Sequence, residues 1–163
     1  MTISMTLAED AVRADLARLL AAAVEESGRA RCDIARDARV HRDALRRILA
    51  GSRSATIGEA MRILAASGAA PHAHMLLFLT CGCDQAVAWL QSDIAAFFAE
   101  FNAEFPVALE RILGNQITDV KPQWAKGTAN RVARLLSDHI VELERKDAFL
   151  GSFFAGDHGG QHA

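Results

Sequence analysis

Eight arginines stand within residues 29–53 (Arg29, Arg31, Arg36, Arg39, Arg42, Arg46, Arg47 and Arg53), against three acids, Asp33, Asp37 and Asp43. A guanidinium keeps its charge at any physiological pH. Its planar fork of donors fits a phosphate or, in bidentate fashion, the edge of a guanine. A segment carrying +5 inside a chain of formal net charge −2 therefore reads as a local polyanion-binding surface. The rest of the chain runs the other way. Residues 1–28 hold two Arg against five acids, and residues 69–163 hold seven Lys/Arg against eleven acids, which limits non-specific sticking elsewhere.

Such charges read a groove only if rigid elements hold them in register. Within residues 30–51 the apolar positions Ile34, Ala35, Ala38, Val40, Leu45, Ile48 and Leu49 close onto one core, and Arg31, Arg36, Arg42, Arg46 and Arg47 fall on the opposite side. This spacing predicts two short helices, over about 31–38 and 42–50, joined by Arg39-Val40-His41. Two helices so arranged are what a helix-turn-helix requires: one braced on the phosphate backbone, the other lying in the major groove. Around them, the periodicity predicts a first helix from Leu7 to Ser27 with a stripe of Val12, Leu16, Leu19, Leu20 and Ala23. Thr56-x-x-Glu59 is a capping box opening a helix over 57–67, whose buried side is expected from Met61, Leu64 and Ala65.

The order Asp33-Ile34-Ala35-Arg36, Val40-His41-Arg42-Asp43-Ala44-Leu45, Ile48-Leu49-Ala50-Gly51-Ser52-Arg53 and Ala65-Ala66-Ser67-Gly68 resembles the Xre, or lambda-repressor-like, helix-turn-helix transcriptional regulators. The resemblance spans about residues 9–68. It implies a homodimer on a two-fold site in double-stranded DNA. The implied base contacts come from Arg42, Asp43, Arg46 and Arg47 on the recognition helix, and the phosphate contacts from Arg31, Ser52 and Arg53. Asp43 would accept from cytosine or orient Arg47 one turn on. Three positions depart from the family. Arg39 stands where a turn glycine is common, and a positive φ there costs an arginine about 1 kcal/mol. Ala30 and His41 stand where Ser or Thr usually caps, so both caps are expected to be weaker by roughly 0.5–2 kcal/mol.

Beyond residue 70 the sequence predicts more helix. Pro71 opens an apolar stretch to Thr80, Asp84 caps a helix over about 85–103, and Phe105-Pro106 is expected to interrupt it before a shorter helix over 107–115. A long amphipathic helix follows over 128–149, with Val132, Leu135, Leu136, Ile140 and Leu143 at helical spacing, and it is the dimerisation candidate. The aromatic stripe of Trp89, Phe97, Phe98, Phe101 and Phe105 reads as core, with an effector pocket or partner surface as its functional alternative. The expected organisation is all-α: a lambda-repressor-like helix-turn-helix domain over 1–70, a helical oligomerisation or regulatory domain over 71–154 for a partner protein or small apolar effector, and a loose tail over 155–163. An antitoxin or adaptor that keeps the fold for protein docking is the alternative function.

Other chemistries find little to work with. Cys81 and Cys83 are separated by one residue, tighter than usual zinc-ligand spacing, so with His72 and His74 nearby no metal or other cofactor is assigned. Three cysteines make no disulfide framework, and the first ten residues lack a secretory pattern, which points to the cytoplasm. The apolar run from Ala73 to Cys81 is too short to span a bilayer. Asp138 and His139, adjacent on one helix, point apart, and there is no P-loop or HExxH, so no enzymatic activity is expected.

Overall fold

The protein is described here by a computed structural model covering residues 9–156, with side chains through Lys146. Every regular element among these residues is helical: α1 (Glu9–Glu26), α2 (Arg31–Asp37), α3 (Arg42–Leu49), α4 (Ile57–Ala66), α5 (Pro71–Cys81), α6 (Cys83–Ala88), α7 (Asp93–Leu113) and α8 (Ala125–Gly156). Two short 3-10 segments, Gly114–Asp119 and Pro122–Trp124, precede α8. The all-α class is as expected. Residues 157–163, most of the tail anticipated at 155–163, lie outside the described residues, as do the side chains of Phe153 and Phe154. Among the described residues no helix is long and apolar enough to cross a membrane.

The chain divides into two compact units between Ala108 and Leu109. In the first, Leu19, Leu20, Ile34, Leu45, Ile48, Ile63, Leu64 and Leu77 are fully buried in one continuous core. This core accounts for the short helices. α2 and α3, of seven and eight residues, are too short to persist alone, and burial of Ile34, Ala35, Leu45 and Ile48 holds them. Each fully buried aliphatic side chain contributes about 1.5–3 kcal/mol of transfer free energy. On α4 the inward positions are Ala60, Ile63, Leu64 and Ala66, whereas Ala65 faces solvent, a correction to its expected burial.

The expected division at residue 70 falls inside this first unit, because α5 packs on α4 and α6 packs on α1. Leu77 and Ala86 extend the same core. Two polar ties reinforce the seam: the buried Cys83 thiol donates to the Asp15 carbonyl (3.2 Å), and Arg18 meets Asp84 at 2.9 Å. Burial pushes the Cys83 thiol above its ordinary pKa, so it stays a protonated donor.

Two expectations about the later helices are corrected. The helix expected over 85–103 is broken at residues 89–92, and Ser92 restarts it by accepting from the Ile94 amide (3.2 Å). The interruption expected at Phe105-Pro106 is absent, since α7 runs through Pro106. An exposed proline forfeits one amide and leaves the Asn102 carbonyl to water, a loss that a helix of 21 residues tolerates. In the second unit, α8 follows the Pro122–Trp124 segment and spans 32 residues.

A candidate nucleic-acid interface on α2 and α3

α3 turns Ala44, Leu45 and Ile48 inward, which forces Arg42, Asp43, Arg46 and Arg47 outward along one exposed face. Its start is fixed by His41, whose Nδ1 accepts from the Asp43 amide (3.3 Å), so the imidazole supplies the cap a Ser or Thr would normally give. α2 has no such bond: Ala30 offers no side-chain acceptor, as expected.

The segment between the two helices is pinned at both ends of the turn. The Val40 amide reaches back to the Ala35 carbonyl (2.9 Å) and the Arg39 amide to the Arg36 carbonyl (3.1 Å), the paired bonds of a Schellman ending. That geometry needs a left-handed residue after the cap, and Arg39 supplies it with φ of 54°. It is the one non-glycine residue with positive φ among the described residues. α3 ends by the same pair of bonds, Ser52 amide to Arg47 carbonyl (3.0 Å) and Gly51 amide to Ile48 carbonyl (2.9 Å), with Gly51 at φ of 71°. From α4, the Arg62 Nε donates to the Ala38 carbonyl (2.8 Å) and buttresses the turn from behind.

The eight arginines separate by partner. Arg29 donates to Asp37 (2.5 Å) and to the Ala66 carbonyl, tying the ends of α2 and α4, and its hydrogen bond holds the Asp37 carboxyl below the ordinary range. Arg36 is flanked by Asp33 (3.0 Å) and Asp37 (3.2 Å). Arg53 pairs with Glu59 at 2.8 Å, and the Ser52 hydroxyl donates to the Arg47 carbonyl at 3.1 Å. Asp43 lies nearest Arg46, at 3.8 Å, rather than orienting Arg47. Arg31, Arg39, Arg42 and Arg47 have no carboxylate within ion-pair range among the described residues.

The geometry thus brings together Arg42, Asp43, Arg46 and Arg47 on one helical face and places Arg31 at the start of the neighbouring helix. Of the anticipated flanking contacts, Ser52 and Arg53 already hold the loop between α3 and α4. Arg39, expected in a turn position that favours glycine, takes the left-handed conformation there, and its exposed guanidinium stands in the turn that joins the two helices.

The histidines and cysteines do not converge. His74 is buried, with Nδ1 on the Ala70 carbonyl (2.7 Å) and Nε2 without a partner among the described residues, while His72 and Cys81 are exposed and Cys83 faces α1. Among the described residues no three His, Cys, Asp or Glu side chains are grouped to hold a metal ion.

What these features define is an all-α protein with an exposed, cation-rich face on two short helices. Compared with protein-family models, with curated proteins and with solved structures, the chain matches none.

Proposed function

We propose that the protein is a cytoplasmic, sequence-specific DNA-binding transcriptional regulator, with α2 and α3 acting as a lambda-repressor-like helix-turn-helix and two copies binding a two-fold site. One observation carries this reading. Arg42, Arg46 and Arg47 project from a single face of α3 whose opposite face is locked into the core, so their charges arrive at a groove as a rigid set. In this reading Arg42, Asp43, Arg46 and Arg47 read base edges, and Arg31 and the turn residue Arg39 engage phosphates, joined at the rim by Ser52 and Arg53. An arginine bidentate to guanine discriminates by about 1–3 kcal/mol, and the electrostatic share of affinity falls steeply with salt.

The test begins with selection of bound sequences from random duplexes, where an enriched palindrome is the expected outcome. On the selected duplex, Arg42→Ala with Arg46→Ala is expected to weaken binding at least tenfold, the equivalent of about 1.4 kcal/mol. Equal affinity of the double variant and the parent protein overturns the site assignment. Failure to enrich any sequence overturns the function.

A further inference from the structure

The helix α8 carries Val132, Leu135, Leu136, Ile140 and Leu143 along one stripe. Leu135 is 68% exposed, Ile140 54% and Leu143 46%. A long amphipathic helix draws its stability from burying such a stripe rather than from propensity, so the stripe calls for a partner.

Two features of α8 itself specify that partner. The first is symmetry. Val132 and Leu143 lie equally far from the point between Ser137 and Asp138, and so do Leu135 and Ile140. A second copy turned end for end about that point sets Val132 opposite Leu143 and Leu135 opposite Ile140, apolar against apolar, with Leu136 level with His139 between them. The second is charge. Lys126, Arg131 and Arg134 occupy the first part of the helix with no acid among them, whereas Asp138, Glu142 and Glu144 precede Arg145 and Lys146 in the later part, where Lys146 pairs with Glu142 (3.0 Å). Lys126 in the first turn also opposes the helix's own dipole, and no acid offsets it there. Copies side by side in the same direction would stack basic ends together. Copies in opposite directions bring Arg131, which flanks the stripe, toward Glu142 and Glu144 of the other and oppose the two dipoles.

We propose that α8 is a self-association surface, on which two copies of this chain pair antiparallel about the Ser137–Asp138 point through Val132, Leu135, Leu136, Ile140 and Leu143. The inference rests on the dimeric reading above for its purpose, whereas its test needs no DNA. Sedimentation equilibrium of the full chain alone is expected to show a dimer. Leu135→Glu with Ile140→Glu raises its dissociation constant at least tenfold, and both side chains are exposed within the single chain, so the first unit is expected to stay folded by circular dichroism. Arg131→Glu weakens the dimer and adding Glu142→Arg restores it, whereas in a parallel pair the first change would relieve repulsion.

Orientation is read by oxidising a mixture of Val132→Cys and Leu143→Cys proteins, each also carrying Cys32→Ser and Cys81→Ser. The mixed disulfide is expected in excess over either self-pair. A chain that stays monomeric, a dimer indifferent to the two glutamates, a stripe covered only by a different protein, or preferred self-pairs of Val132→Cys each overturns the proposal. A dimer that binds no DNA overturns only the function proposed above, and specific DNA binding by a monomer overturns only this pairing.

Discussion

The two compact units use the same material to opposite ends. In residues 9–108 the apolar stripes of α1 through α6 meet one another, and Leu19, Leu20, Ile34, Leu45, Ile48 and Leu64 leave water altogether. Beyond Ala108 no described side chain is buried, although α8 carries a stripe as regular as that of α1. Amphipathic periodicity therefore says that a helix has something to bury, and it is silent about where. In the first unit the answer lies within the chain; for α8 the proposed answer is another copy.

The sharpest way to break this comparison is to truncate one leucine in each unit. Leu45→Ala or Ile48→Ala leaves a cavity behind a fully packed helix and is expected to cost roughly 2–5 kcal/mol, measured by urea denaturation. That loss is independent of protein concentration, because the contacts are internal. Leu135→Ala, by contrast, is expected to shift the melting point only where its value depends on concentration, as mass action requires for an interface. Equal and concentration-independent losses at both positions would dissolve the distinction.

The first unit was also the more legible of the two in the sequence, for a local reason. α2 and α3 were expected at 31–38 and 42–50 and stand at Arg31–Asp37 and Arg42–Leu49, because apolar spacing and the stop at Gly51 act over one or two turns. The outward set Arg42, Asp43, Arg46 and Arg47 follows from the same spacing. Partner assignments did not, since Arg29 reaches the carbonyl of Ala66 and Arg62 that of Ala38, across a fold whose closure no local pattern encodes. The break at 89–92 was hidden because Val87, Leu90, Ile94 and Phe97 keep helical spacing straight through it. The continuity of the core past residue 70 was hidden for a related reason: Gly68 and Pro71 end one helix and begin the next without separating their cores.

A second, smaller contrast lies within the first unit, between two turns of one design. α2 and α3 end on the same pair of backbone bonds, one with Arg39 at φ 54° and the other with Gly51 at φ 71°. A side chain in this left-handed region costs about 1–2 kcal/mol that glycine avoids, so Arg39→Gly is expected to raise stability by about 1 kcal/mol in denaturant titrations. If Arg39 also meets a phosphate, the same variant binds DNA more weakly and lowers the slope of log affinity against log salt by about 1. Stability gained with an unchanged slope would make the arginine incidental to binding. Removing the buttress works in the opposite direction. Arg62→Ala withdraws the donor to the Ala38 carbonyl and is expected to destabilise the turn by about 1 kcal/mol.

The smallest expected effect is a pH dependence at the start of α4, and its sign follows from the bonds. Glu59 accepts from the Thr56 amide (3.0 Å) and from Arg53 (2.8 Å), and the backbone bond is the larger cause holding its carboxyl below the ordinary 4.5. A folded-state pKa depressed in this way contributes stability that is fully present above the unfolded value and is lost as pH falls through the folded one. The pair reaches solvent through a third of the Arg53 side chain, which screens it, so the contribution is held to about 1 kcal/mol or less. Glu59→Gln is therefore expected to lower stability slightly at neutral pH and to flatten the loss between neutral pH and the acid limb, while freeing Arg53 from its carboxylate. The second consequence separates a structural Arg53 from one that meets DNA. If Arg53 touches a phosphate, the Gln variant binds DNA at least as tightly as the parent protein despite its weaker fold. If Arg53 serves only the loop between α3 and α4, affinity follows stability down.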